Sequence, residues 1–283
     1  MRIAELPWYD LPELRAATDA WWQGIAGHLR RLGVDRVPDV LQREGSHVER
    51  WRHPDLLLSQ ACGYDVLYDA APWIVPVATP CYHAGGAGGP RYRSVVVVRD
   101  DAPWRGLAEL RGARFVVNEA SSHSGNNAVR PLVAQRCNGG RFFAAVAASG
   151  SHRGSLAAVQ RREADAACID HVVWELLHRV RPSARHGLRV LASTEPTWAP
   201  PYVTSRRTPP ALAAVLREAL FAAAGDPGLA EARQALSLAG FTVLPDDAYA
   251  DLARFEAPAL AARYYELPAP ASSPLSRGGA APS

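Results

Sequence analysis

The 283-residue sequence contains no lysine. All 31 strongly basic residues are arginine, and against 28 acidic ones they leave a net charge of only +3. So small an excess on so long a chain leaves no electrostatic footprint for nucleic acid. The missing lysine, beside abundant alanine, is read as compositional bias. There are only four cysteines, Cys62, Cys81, Cys137 and Cys168, and no two have the CxxC spacing of a zinc site. Buried free thiols and no metal are the expectation. No run approaches the ~20 apolar residues of a membrane helix. The opening MRIAELPWYD lacks a basic segment, an apolar segment and a small-residue cleavage site, and passes straight into a strand pattern. This predicts a soluble, unexported, cytoplasmic chain or the processed form of an exported one. Among enzyme signatures, GxxxxGK[ST], HExxH and GxGxxG are all absent, and GSHRG is not GxSxG because its serine directly follows the first glycine.

What is present suits a globular protein with a real core, since 48% of residues are hydrophobic. Strand and helix patterns alternate. RIAELPWY, VPDVLQ, WIVPVATPCYH, RYRSVVVVRDD, RFVVNE, FFAAVAAS, AACID and LRVLASTE read as strands. LPELRAATDAWWQGIAGHLRRLG, GLAELRG, SLAAVQRREA and HVVWELLHRVRP read as helices, with HPDLLLSQACGYDVLY a short helix and turn. From Pro209 the pattern is mainly helical. The alternation predicts an α/β fold with mostly parallel sheets, which bind ligands at the carboxyl ends of their strands. The glycine run AGGAGGP and the loop STEPTWAPPYVTS bracket a central block. They divide the chain into one lobe of residues 1–86 with 200–268 and another of 87–199. The Pro/Ser/Gly/Ala-rich end, 269–283, predicts a disordered tail.

Two junctions from strand to helix carry the functional reading. In NEASSHSGNNAVRPLVAQ, residues 118–135, the groups Ser121, Ser122, His123, Ser124 and Gly125 crowd the front of a helix. A helix N-terminus offers unpaired N–H groups and partial positive charge. Gly125 would let a ligand approach the backbone. The hydroxyls and the imidazole add donors, giving an anion seat that needs no lysine. Ordinary capping is the alternative. SGSHRGSLAAVQ repeats the logic with Ser149, Ser151 and His152, where His152 either donates to an anion or simply caps its helix or lies on the surface. Asp170, ending AACID, is an N-cap or a ligand group. As a ligand group it selects an oxyanion that carries a proton or an amine. Tyr9 and Tyr64, with Trp8 and Gln60, sit in turns at strand ends and could close on an organic substituent. A Ser151–His152–Asp170 triad is disfavoured, because adjacent Ser and His on one turn do not face each other productively.

The blocks LLLSQACGYD, SVVVVRDDAPWRGLAELRGARFVVNEASSHSGNNAVR and ASGSHRGSLAAVQRREADAACIDHVVWELL occur in an order that resembles the substrate-binding proteins of phosphate/phosphite/phosphonate ABC transporters, the PhnD-like group. The resemblance implies a type II periplasmic-binding-protein fold: two α/β lobes, two crossover strands and a ligand cleft between them. It implies that Ser122, His123 and Ser124 hold the oxygens of a small phosphorus oxyanion, that His152 and Asp170 join them, and that Tyr9 and Tyr64 close the cage. His123 stands where the resemblance leads one to expect a small polar residue or glutamine, adding a titratable donor. The expected function is capture by hinge closure for an ABC permease, by a monomer without cofactor or catalysis. The alternative is an enzyme or cytosolic sensor on the same fold that acts on or binds another small organic anion.

Overall fold

The computed structural model describes residues 2–137, 141–264 and 267. In chain order the strands and helices are β1 (Ile3–Ala4), α1 (Arg15–Arg31), α2 (His47–Trp51), β2 (Leu56–Gln60), α3 (Gly63–Leu67), β3 (Ile74–Tyr82), β4 (Arg91–Tyr92) and β5 (Ser94–Arg99). There follow β6 (Arg114–Val117), α4 (Arg130–Ala134), β7 (Ala145–Ala148), α5 (His152–Gln160), β8 (Ala166–Asp170), α6 (His171–Val180), β9 (Leu188–Ser193) and β10 (Thr197–Trp198). The last are β11 (Tyr202–Ser205), α7 (Pro210–Gly225), α8 (Ala230–Ala235), β12 (Leu238–Thr242) and α9 (Ala257–Ala261).

The chain forms two compact units. Among the described residues, the first contains those up to Tyr92 with Trp198–Tyr249, the second Arg93–Thr197 and those from Ala250 on. The boundaries therefore differ from the expected ones, and the chain changes unit three times rather than twice. Residues 250–264 and 267, assigned by sequence to the first lobe, belong to the second unit. The reason is packing: Ala259, Tyr264 and Leu267 complete the second unit's core beside Val129, Val133 and Phe142. The expected tail, 269–283, lies outside the described residues.

The first unit holds a five-stranded sheet in the order β1-β2-β11-β3-β12. β11 runs antiparallel to both β2 and β3, and β12 antiparallel to β3. α1 buries Trp21, Trp22, Ile25, Ala26 and Leu29, one apolar face at helical spacing. Gly33, at φ +80°, follows its end. Beneath β2 lies a polar knot. The Glu5 carboxylate accepts from Arg50 Nε and, at 2.7 Å, from the Ser59 hydroxyl, which in turn accepts from Trp51 Nε1 at 3.2 Å.

The second unit holds a five-stranded sheet in the order β7-β6-β8-β5-β9. β5 and β8 are buried along nearly their whole length, as central strands must be. β6 runs parallel to β7 and β8, with Val117 opposite Ala148 and Val116 opposite Ala167. β5 runs antiparallel to β8 and β9, and Ser94 faces Asp170. The carboxyl ends of β6, β7 and β8 thus share one edge. The expectation of mostly parallel sheets is corrected in the first unit, where β11 and β12 both run against β3; in the second, β5 alone runs against the other four strands. β5 and β11, which follow directly on a change of unit, enter their sheets against the grain of their neighbours.

Three local readings also change. Leu56–Gln60, read as helical, is the buried strand β2; a short apolar run without periodicity suits either form, and pairing with β1 and β11 decides it. Tyr202–Ser205, read as loop after two prolines, is the central strand β11. VPDVLQ forms no strand.

Candidate functional site

The edge formed by the ends of β6, β7 and β8 collects Asn118, Ser149 and Asp170, together with the turns that follow them. The turn after β6 closes on itself. The Gly125 N–H donates to Ser122 Oγ at 3.1 Å, the Asn127 N–H to the Ser122 carbonyl at 3.0 Å, and the Ala128 N–H to the His123 carbonyl at 2.8 Å. A 3-10 turn, Asn127–Val129, intervenes before the five-residue α4. The expected helix N-terminus at Ser122–Gly125 is therefore absent: the turn's own helix begins only at Arg130. What the turn does offer is Ser124. Its N–H takes no partner among the described residues, and its Oγ lies 3.5 Å from Ser122 Oγ and 3.0 Å from His152 Nε2.

That last contact joins the two junctions singled out in the sequence. α5 begins at His152, capped by Ser151, whose Oγ accepts from the Gly154 N–H at 3.0 Å. This helix does end its N–H row at the edge. Burial lowers the His152 pKa to about 4, against a smaller upward pull from the Cys168 backbone. The imidazole is therefore neutral near pH 7, and Ser124 and His152 share one proton across their contact. Because Ser151 turns its oxygen to Gly154 and His152 turns Nε2 to Ser124, the triad geometry is not assembled.

His123 is placed differently from the expectation. Its ring stands edge-on to Phe255, with centroids 4.7 Å apart. The Asn127 side chain accepts from Arg130 Nη1 at 3.0 Å, so its amide nitrogen donates to His123 Nδ1 at 3.1 Å, which leaves the ring proton on Nε2. Burial first, then the charges of Arg130 and Arg254, push its pKa down to about 3. The expected titratable donor is a neutral core imidazole, fixed by packing.

Gly125 is also corrected. A Cβ there would fall on the Asn118 side-chain oxygen and come within 3.2 Å of His152 Cε1. The space that glycine leaves is filled by the chain's own amide, not held open for a ligand. Asp170 Oδ1 accepts from the N–H groups of Val172 at 2.7 Å and Val173 at 3.3 Å, so the N-cap role is real. Its side chain is buried at the strand end.

Tyr9 and Tyr64 lie in the first unit. Tyr9 has φ +65°, a left-handed backbone that a bulky aromatic adopts only where its surroundings impose it. It packs edge-on against Tyr82 at 5.0 Å. With Trp8, Gln60, Tyr82 and Tyr202 it lines a cavity of about 10 Å³, room for one water. Gln60 Nε2 donates to the Tyr82 hydroxyl at 3.3 Å. Tyr64 is fully buried and packs edge-on against Tyr68. Sequence reasoning missed Asn118 and Tyr82. The available signal was the same for both: a polar-tipped residue at the end of a correctly read strand.

All four cysteines are free, and the described residues contain no His/Cys/Asp/Glu group fit to hold a metal ion. No helix among the described residues is long and apolar enough to cross a membrane.

A family model for the ABC transporter, phosphonate, periplasmic substrate-binding protein matches residues 7–249. Among solved structures, the chain is similar to PhnD1 from Prochlorococcus marinus in complex with methylphosphonate, with TM-score 0.74 and 16% identity over 91% of this chain and 97% of that one. It is similar to the binding-protein component of an ABC phosphonate transporter from Pseudomonas aeruginosa, with TM-score 0.72 and 16% identity over 90% and 85%. It is also similar to XAC2383 from Xanthomonas citri bound to ATP, with TM-score 0.68 and 18% identity over 93% and 98%. No curated protein matches the chain. At these identities the solved structures establish the fold, of the kind shared by periplasmic binding proteins.

Proposed function

Because the chain belongs to the family of periplasmic substrate-binding proteins of ABC phosphonate transporters, we propose that it captures a small tetrahedral phosphorus oxyanion on the sheet edge of its second unit, for a membrane permease. A phosphonate, phosphite or phosphate fits this reading. Methylphosphonate, held by the Prochlorococcus relative, is the natural first probe. The observation that carries the proposal is the 3.0 Å contact of Ser124 Oγ with His152 Nε2, which brings two separate strand-end turns to one point.

The chemistry follows from the groups present. The Ser124 N–H, without a partner among the described residues, the Ser124 hydroxyl when His152 Nε2 donates to it, and the His152 N–H at the start of α5 are neutral donors. Neutral donors bind an anion through dipoles and oriented hydrogen bonds, without a competing buried cation. Ser122 supports the turn through Gly125. Asp170, at the next strand end, can only accept when ionised, so it favours an oxyanion bearing a proton or a ligand bearing an amine. The ligand is held and released unchanged; no nucleophile is prepared, and ligand recovered after long incubation is the same compound.

Ser124→Ala and His152→Ala each weaken methylphosphonate binding by about 1–3 kcal/mol, the cost of a lost hydrogen bond to a charged group. Titration calorimetry reads this directly. Unchanged affinity in both variants would remove the seat from this edge.

A further inference from the structure

Asn118 directly follows β6 and opens the turn that carries Ser122 and Ser124. The residue is 7% exposed and its side-chain carbonyl oxygen is buried, yet that oxygen takes no hydrogen-bond partner among the described residues. A buried amide oxygen without a partner is a standing cost, and such groups call for an explanation. The amide lies over Gly125, in the volume a Cβ would need, and His152 Cε1 flanks that same point. The Asn118 amide and the His152 imidazole therefore sit together on one face of Gly125, beside the Ser124 hydroxyl that His152 contacts. Among the described residues no hydrogen bond fixes which end of the amide faces which way, so a half-turn about its last bond exchanges carbonyl for NH2.

We propose that Asn118 is a further ligand-binding residue of this seat, donating its NH2 group to an oxygen of the bound phosphorus oxyanion. The inference rests on the seat proposed above and adds to it the residue that decides what charge the seat tolerates. A neutral amide at this point accepts a fully deprotonated oxygen, whereas a carboxylate there would repel it. Gly125 follows from the same arrangement: the turn gives up a side chain so that the amide can reach this face.

The test uses the full chain and methylphosphonate in calorimetric titrations of the wild type, Asn118→Leu and Asn118→Asp. Removing the donor in Asn118→Leu weakens binding about tenfold, and replacing it with a like charge in Asn118→Asp weakens it by roughly a hundredfold or more near pH 7. Asn118→Asp is nearly isosteric, so it keeps the test open if the leucine variant folds poorly. As pH falls towards about 5, its new carboxyl takes up a proton and regains a donor. The ratio of its Kd to that of the wild type then shrinks, which a purely structural role for Asn118 would not produce. Wild-type affinity in both variants, or an Asn118→Asp defect that ignores pH, would overturn the role of Asn118 and leave the Ser124–His152 seat standing. A wild type that takes up no phosphorus oxyanion would overturn the seat and Asn118 together.

Discussion

Arg50→Ala lowers the unfolding free energy by about 3–5 kcal/mol at neutral pH, as removing one partner of a buried ion pair does. Glu5 is 1% exposed, and burial is the largest influence on it, raising its pKa; the Ser59 hydroxyl and Arg50 pull the other way. Without Arg50 the carboxylate keeps one hydroxyl donor and no opposing charge in the knot beneath β2. It then takes up a proton more readily in the folded state than in the unfolded chain. A carboxyl with a raised folded pKa costs stability as pH rises, so the defect shrinks towards about pH 5. Urea unfolding at both pH values checks this. A loss below about 1 kcal/mol, the worth of a surface pair, would mean the knot is solvated.

Acid destabilises the protein through His123 well before most carboxylates titrate. The imidazole has a folded pKa of about 3, against roughly 6.5 in an unfolded chain. Between those values the unfolded state binds a proton that the folded state refuses. The stability contributed is complete above about pH 6.5 and falls as pH drops, at about 1.4 kcal/mol per pH unit. His123→Gln removes that proton, so its stability profile between about pH 6.5 and pH 4.5 is shallower than the wild-type profile by about one proton. Parallel profiles for the two proteins would show that His123 titrates freely and is not packed against Phe255.

Much of the second unit's edge was legible because its strands are short apolar runs with polar turns at their ends. Asn118, Ser149 and Asp170 fall where the sequence put three strand ends, and α6 starts where its cap predicted, whereas α5 starts earlier, at His152, with Ser151 and not His152 as its cap. The sequence could not show which neighbour a residue meets. Gly125 looks like an opening for a ligand in sequence and is filled by Asn118 in space. His123 looks like one more donor in a polar run, but the turn's closure at Asn127 and Ala128 brings its ring to Phe255, 132 positions away in the same unit. Strand direction was hidden for a similar reason. Whether β5 and β11 run with or against their neighbours depends on the changes of unit before them, and composition carries no trace of that. The C-terminal segment holds apolar residues that either core could bury, and only contact with α4 assigns them.

The central claim is most directly tested by thermal unfolding of the wild-type protein with methylphosphonate, phosphite, phosphate and sulfate, each at saturating concentration. A ligand that binds only the folded state stabilises it by mass action, by about 2.7 kcal/mol at a hundred times its Kd. The account predicts a clear rise in Tm with at least one phosphorus oxyanion and a smaller one with sulfate, which brings no proton for Asp170 to accept. An unchanged Tm with every phosphorus oxyanion would contradict it.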